Sequence, residues 1–388
     1  MNVTALAAHT PEAVRAALAA HGWDADPAWF AATGLRPVVV LLDPLTDNER
    51  EALVHWGVRA GADVLTGPGW GLIAATLSRL APLARPDRAP AELAAVGANL
   101  ARYLTTVAEP PRRWSLAHAA LSLDQPVLVG VVNVTPDSFS DGGKFSTLEQ
   151  AVAHAERLAA DGAGLLDVGG ESTRPGAGFV PEAEECRRVV PVIAELVRRR
   201  LPPVSVDTRK AAVARAALDA GAVAVNDVSG LAFDPQLPGV VAERGAGLVV
   251  MHMRGTPETM DGLARYGDVA AEVAQELGAA IARAEAAGVA AERIVVDPGF
   301  GFAKTPEQNF RVLDELATIV GLGYPVLVGP SRKRFLGAAT GQPVADRDRA
   351  TAVACALAWE RGARLFRVHD VALAREALRV AAALDSTR

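Results

Sequence analysis

From about residue 113 the chain repeats one pattern eight times: a short apolar run ending on polar or glycine residues, then a helical stretch. The runs are Val127–Val134, Leu165–Gly169, Val204–Asp207, Ala222–Asp227, Leu248–His252, Arg293–Asp297, Pro325–Gly329 and Arg364–Val368. They are apolar on nearly every residue, so they read as strands covered on both faces, as in a parallel sheet wrapped by helices. The spacing predicts helices over Thr147–Ala160, Pro181–Arg200, Lys210–Ala220, Tyr266–Ala287, Pro306–Val320, Asp346–Arg361 and Val371–Leu384, with a short one after Asp227. Asp161-Gly-Ala, Ala220-Gly-Ala and Arg361-Gly-Ala are three near-identical helix exits. Eight such units close an α/β barrel of the (β/α)8, or TIM, type. An open doubly wound sheet is the rival, but it more often has five or six strands and a Gly-rich turn after the first. The first turn here, Asn133-Val-Thr-Pro-Asp-Ser-Phe-Ser-Asp-Gly-Gly143, lacks the G-x-G-x-x-G spacing.

A bare barrel needs roughly 250 residues, and this chain has 388. Residues 1–112 read as a smaller α/β domain: Arg36–Leu42 and Ala62–Leu65 as strands, Pro11–His21, Asn48–Ala60, Leu72–Leu80 and Ala91–Leu104 as helices. The Pro/Arg-rich run Glu109-Pro-Pro-Arg-Arg113 links it to a barrel over 113–388. Gly67-Pro-Gly69-Trp70-Gly71 reads as a tight turn, with an anion cradle as the alternative. His9, His21 and His55 have no metal-ligand spacing.

The net charge of -6 and the lack of a basic tract argue against nucleic acid as a partner. No signal-like N-terminus or membrane-length apolar window is present, and the two cysteines, Cys186 and Cys355, fall in helical patterns. Free thiols and a cytoplasmic location are therefore expected. Of 39 basic residues only Lys144, Lys210, Lys304 and Lys333 are lysine. Arginine serves wherever a generic positive charge will do, so Lys333 gains weight as a place that wants a compact ammonium, with chance as the alternative.

Polar residues at the strand ends of a barrel share one mouth, however far apart they are in sequence. Here they are Asn133, Asp167 with Glu171-Ser172-Thr173-Arg174, Asp207, Asn226 with Asp227, His252, Asp297, Ser331-Arg332-Lys333, and Arg367 with His369. Five of them are cationic groups, Arg174, Arg332, Lys333, Arg367 and His369, and with the hydroxyls of Ser172, Thr173 and Ser331 they suit a phosphate or pyrophosphate. Asp207, Asn226 and Asp297 suit a flat heterocycle rich in N–H donors. A polycarboxylate metal site would use the acids but leave the cations without a purpose.

Several runs resemble the signatures of dihydropteroate synthases, in that family's order. They are Asn133–Gly143, Asp167-Val-Gly-Gly-Glu-Ser-Thr-Arg-Pro-Gly176, Val206-Asp-Thr-Arg-Lys210, Asn226-Asp227, Met251-His-Met253, Asp297-Pro-Gly-Phe-Gly-Phe302, Ser331-Arg-Lys333 and Arg367-Val-His-Asp370. The resemblance implies condensation of a dihydropterin pyrophosphate with 4-aminobenzoate. It further implies that Asn133 ligates a Mg2+ carried on the pyrophosphate, which Thr173, Arg367 and His369 bind with Ser172 and Arg174 nearby. Asp207, Asn226, Asp297 and Lys333 would hold the pterin as the catalytic set, with Met251 on its face. The aminobenzoate would lie among Lys333, Phe302, Ser331, Arg174 and Pro175, under mobile loops over Thr135–Gly143 and Ser172–Gly178. A homodimer through the barrel helices and sensitivity to sulfonamides are implied as well. The alternatives are a pterin-binding methyltransferase acting between methyltetrahydrofolate and a corrinoid protein, or a non-catalytic pterin-binding homologue.

Two residues depart from the family pattern. Ala303 stands where a glycine is usual, a strained choice if the backbone there needs positive φ. Arg209 replaces a smaller or aromatic residue and is expected to point to solvent. The 112-residue N-terminal extension carries none of the family's motifs.

Overall fold

The computed structural model describes residues 2–6, 38–43, 45–75, 80, 83, 89–94, 96–98, 100, 101, 111–135, 147–172 and 178–385. The chain divides into two units. One comprises Met1–Pro111, Tyr266–Gln275 and Asp314–Gly323, the other Arg112–Arg265, Glu276–Leu313 and Tyr324–Arg388.

In the first unit, strands β1 (Asn2–Leu6), β2 (Val38–Asp43), β3 (Asp63–Gly67) and β4 (Trp70–Ala75) pair antiparallel in the order β1-β2-β4-β3. Helix α1 (Asp47–Arg59) precedes β3. Thr46 opens it with a capping box: Thr46 Oγ1 accepts from Glu49 N, and the Glu49 carboxylate accepts from Thr46 N at 2.7 Å. Leu53 and Trp56 of α1 join Val40, Leu42 and Ile73 in one core.

Of Leu72–Leu80, expected as a helix, Leu72–Ala75 instead lie in β4, and 76–79 lie outside the described residues. All six residues of β4 are buried, and a short run that is apolar throughout carries no period to separate strand from helix. Pairing decides it: the chain turns at Pro68-Gly69, φ +79° at Gly69, and β4 is held between β3 and the remote β2. Over Ala91–Leu104 the described residues begin with a 3-10 turn, Ala91–Leu93, and Leu93, Val96 and Leu100 are buried in the core. The helix expected over Pro11–His21, with His9 and His21, lies outside the described residues.

The second unit holds eight parallel strands: β7 (Val127–Asn133), β8 (Leu165–Gly169), β9 (Val204–Asp207), β10 (Ala224–Asp227), β11 (Gly247–Met251), β12 (Ile294–Asp297), β13 (Leu327–Val328) and β14 (Leu365–Val368). They run β12-β11-β10-β9-β8-β7-β14-β13, and a parallel bridge between Val296 and Val326 joins the two ends. This is the (β/α)8 barrel. Strand β13 is shorter than expected because Pro325 and Pro330 beside it have no N–H to give a ladder.

The helices from residue 147 onward are α2 (Thr147–Asp161), α3 (Glu182–Arg198), α4 (Ala211–Asp219), α5 (Leu237–Arg244), α6 (Val269–Ala286), α7 (Pro306–Asp314), α8 (Leu316–Val320), α9 (Arg334–Thr340), α10 (Asp348–Glu360) and α11 (Val371–Asp385), of which α8 and the start of α6 fall in the first unit. Pro306–Val320 is thus two helices, and α9 was not expected. The three Gly-Ala exits behave alike, with φ of +106°, +104° and +99° at Gly162, Gly221 and Gly362.

Arg113 opens a short hairpin, β5 (Arg113–Ser115) with β6 (Ala120–Ser122), where a plain link was expected. Trp114 of β5 is fully buried among Val127, Leu165, Val249, Val295 and Leu365, residues from the first halves of five barrel strands. Its Nε1 donates to Arg293 O at 2.8 Å. The N-terminal end of the barrel is therefore plugged with apolar packing, and the polar strand ends gather at the other.

Candidate active site

Parallel register aligns the strand ends at one rim: Asn133 with Gly169, Gly169 with Asp207, Asp207 with Asn226, and Met251 with Asp297. Asp167 of β8 is the hub of the polar network there. Its Oδ1 accepts from Ser205 Oγ at 2.6 Å, and its Oδ2 accepts from Asn226 Nδ2 at 3.0 Å and Arg367 Nε at 2.6 Å. Arg367 Nη2 donates to Asp207 Oδ2 at 2.7 Å. One guanidinium from β14 thus joins acids from β8 and β9, which a planar fork can do and a point ammonium cannot.

Asp167 is a carboxylate that accepts, so it orients the Asn226 amide with nitrogen toward itself. Asn226 Oδ1 is left buried, with no hydrogen-bond partner among the described residues. Such an acceptor costs about 1–3 kcal/mol until something donates to it. Burial raises the Asp207 carboxyl to about 7 against the opposing pull of Arg367. Asp297 is raised to about 6, again chiefly by burial, although Gly299 N donates to its Oδ1 at 2.7 Å and Lys333, Lys304 and Arg367 oppose the rise. The rim therefore presents two carboxyls and an amide oxygen that gain from N–H donors.

Beyond Asp297 the chain alternates into the left-handed region at Gly299 (φ +69°), Gly301 (φ +78°) and Ala303 (φ +46°). Ala303 is fully buried, so the departure from glycine noted above falls at a position that does require positive φ. Asn309 fixes this loop by accepting from Gly301 N at 2.7 Å. Phe302 packs with Met251, Met260 and Val228, and the Lys333 ammonium stands 4.0 Å from the Phe302 ring centroid. A Cβ on Gly301 would meet Lys333 Cδ at 2.8 Å, so the lysine stem needs a glycine there. Ser331 Oγ lies 2.9 Å from His369 Nδ1 and accepts from His369 N at 3.2 Å.

Asp207, Asn226, Asp297 and Arg367 are thus gathered at one rim, with Met251, Phe302 and Lys333 forming an apolar and cationic side and Ser331 with His369 forming a pair. Asn133 is half-buried at the end of β7, and Ser172 is half-buried. Thr173, Arg174 and Pro175, and nearly all of the two loops expected to be mobile, lie outside the described residues. Asn133 offers a single amide oxygen. Among the described residues no three His, Cys, Asp or Glu side chains stand together as a metal cluster. That donor set fits a Mg2+ that takes most of its oxygens from a diphosphate and water.

A family model described as Pterin binding enzyme matches residues 129–369, the span that carries all of these groups. The chain belongs to the pterin-binding enzyme family. It is 45% identical over 258 residues to the dihydropteroate synthase of Synechocystis sp., covering 66% of this chain and 89% of that relative. The dihydropteroate synthase of Xanthomonas albilineans, solved with 4-aminobenzoic acid, is 48% identical with a TM-score of 0.67, covering 71% of this chain and 99% of that one. The same enzyme in complex with 7,8-dihydropteroate gives 46% identity and a TM-score of 0.65, with the same coverage.

Within this pterin-binding barrel some polar residues are engaged away from the rim. Arg332, expected among the anion-binding cations, gives both arms of its fork to Asp348 at 2.8 and 2.7 Å. Arg209 does not point to solvent: it lies 4.1 Å from the Phe233 ring centroid and donates to Glu171 at 3.3 Å. His252 Nε2 lies 2.9 Å from Glu276, and its Nδ1 accepts from Lys304 Nζ at 2.9 Å. Burial, with the Lys304 charge, lowers His252 to about 4. Lys210 is buried against Glu171, Glu185 and Val180 O. Two of the four lysines are thus compact ammoniums inside tight acceptor sets, and Lys144 lies outside the described residues. Sequence reasoning placed Asp167 at the rim but gave it no role; its signal was the acid in mid-strand, where every neighbour is apolar.

Proposed function

We propose that this chain is a dihydropteroate synthase, condensing 6-hydroxymethyl-7,8-dihydropterin pyrophosphate with 4-aminobenzoate to give 7,8-dihydropteroate and pyrophosphate in folate biosynthesis. The observation that carries the reading is the buried Asn226 Oδ1, without a hydrogen-bond partner among the described residues, on the rim it shares with the Asp207 and Asp297 carboxyls. Three acceptors from three strands match the N–H edge of a pterin. The catalytic barrel is residues 113–388, and residues 1–112 form a separate domain with no assigned part in the chemistry.

In this reading Asp207, Asn226, Asp297 and Lys333 hold the ring, and Met251 lies on its face. Thr173, Ser172, Arg174, Arg367 and His369 hold the pyrophosphate, and Phe302, Ser331, Lys333, Arg174 and Pro175 seat the aminobenzoate. Asn133 is the protein ligand for Mg2+, which when bound supplies charge neutralisation to the diphosphate. The bond from the pterin methylene to the pyrophosphate oxygen breaks, and the electron pair leaves with pyrophosphate. The amine nitrogen forms the new C–N bond and gives up one proton. Asp207 and Asp297 stabilise the electron-poor methylene while the cations hold the departing anion.

Purified chain given both substrates is expected to release pyrophosphate and form dihydropteroate, and EDTA is expected to suppress both. No product with Mg2+ present would end this reading. The same preparation is expected to sediment at twice the chain mass. Val353 and Leu357 on α10 and Val380 and Leu384 on α11 are exposed at four-residue spacing, which supports a homodimer through these helices. Among the described residues no helix is long and apolar enough to cross a membrane. With the two free thiols, Cys186 and Cys355, a cytoplasmic protein fits.

Asp297 gives a pH prediction with two arms. A pterin N–H needs the carboxylate, so kcat/KM for the pterin substrate should climb as pH rises through about 6. Stability moves the other way. A carboxyl raised above its ordinary value contributes stability that is fully present below about 4 and is lost as pH rises through about 6. Asp297→Asn should therefore flatten the low-pH limb of activity. Its melting temperature should rise relative to the parent as pH goes from 4 to 7, by the equivalent of about 2–3 kcal/mol at most. A parent and variant that melt in parallel across that range would show that burial does not perturb this acid.

A further inference from the structure

Arg332 has a backbone conformation unusual for its residue type, with φ +58°. An L-residue there is disfavoured by a factor of about 5 to 30 relative to glycine. The start of α10 and the residue before it hold it in place at three kinds of group. Both Asp348 oxygens accept from its guanidinium, Thr351 Oγ1 accepts from its backbone N–H at 3.1 Å, and Arg347 Nη1 donates to its carbonyl at 3.2 Å. On either side stand Ser331, bonded to His369, and Lys333, over the Phe302 ring. Strain of this kind persists only where the surroundings over-determine it, and here they come from α10 and the residue before it.

We infer that Arg332 is a positioning residue: its ion pair with Asp348 holds a left-handed turn that aims Ser331 and Lys333 into the barrel mouth, and it is not itself an anion ligand. This rests on the reading that Ser331 and Lys333 seat the aminobenzoate. It converts a motif arginine into a structural latch worked from α10, with Asp348 as the handle.

Arg332→Ala and Arg332→Gly separate the possibilities, because both lose the guanidinium but only alanine keeps the strain. Steady-state kinetics in each substrate and thermal melts would be measured for both, for Asp348→Asn and for the Arg332→Gly, Asp348→Asn pair. R332A and D348N are expected to raise KM for 4-aminobenzoate about tenfold, with a smaller rise for the pterin pyrophosphate, whose ring Lys333 also holds. R332G is expected to be about five- to tenfold more active than R332A and to melt higher, and adding D348N to it is expected to cost nothing more. Equal impairment in R332A and R332G would mean that substrate needs the guanidinium and would overturn the inference. So would R332A with parent kinetics, or R332G melting no higher than R332A. A parent that forms no dihydropteroate fails the functional reading instead, and the melting order still decides whether the turn is strained.

Discussion

Replacing Lys333 with alanine is expected to lower kcat/KM by about three orders of magnitude while the chain stays folded. The ammonium stands 4.0 Å from the Phe302 ring centroid and acts electrostatically on Asp297, so it lies where the two substrates would meet. Lys333 is only half-buried and caps α9 through its backbone conformation, with no side-chain hydrogen bond to the helix, so its loss removes little packing. A charged group that positions both reacting partners in a partly dry site contributes roughly 3–4 kcal/mol, and each tenfold in rate is about 1.4 kcal/mol. Lys333→Arg should rescue poorly, because the stem runs against Gly301, where even a Cβ would sit 2.8 Å from Lys333 Cδ. The broader guanidinium has no such slot. Rates within twofold of the parent for either variant would remove Lys333 from the chemistry.

The second large effect is on stability. Arg367→Met should destabilise the barrel by about 3–5 kcal/mol, since it leaves Asp167 and Asp207 buried without the cation that both of them bond. Burial already raises the Asp207 carboxyl against the pull of Arg367, and losing that pull raises it further. The deficit should therefore grow from pH 6 to pH 8, as the acid is forced to ionise with no partner. Arg367→Lys should recover part of it, because one ammonium can pair with one acid but not bridge two. Denaturant unfolding at the two pH values measures the effect. A variant as stable as the parent at pH 8 would mean that the acids have another counter-charge.

Both expectations rest on residues whose presence at the strand ends was legible beforehand, but whose wiring was not. A barrel strand carries its last residue to the mouth whatever it bonds there, so apolar runs ending in Asn133, Asp207, Asp227 and Asp297 were enough to name the rim. Whether an arginine at that rim faces a substrate or an acid depends on neighbours between 16 and 200 residues away along the chain. Sequence alone groups Arg332 with the anion binders and points Arg209 to solvent, but Asp348 holds the first and Glu171 with Phe233 the second, and three side chains donate to Asp167, to which sequence gives no role. Two of the other lysines are structural: Lys210 and Lys304 are buried and each bonds several acceptors.

Local chemistry along the chain determined the eight-fold strand–helix alternation, the glycine exits at Gly162, Gly221 and Gly362, and the set of polar residues at the mouth, because these follow from side-chain period, backbone permissiveness and strand direction. Tertiary structure alone decided that Trp70–Ala75 is a strand, that Trp114 plugs the far end, and which carboxylate each arginine bonds. Those outcomes depend on pairing and burial between segments remote in sequence, where the competing local preferences are nearly equal and long-range contact supplies the difference.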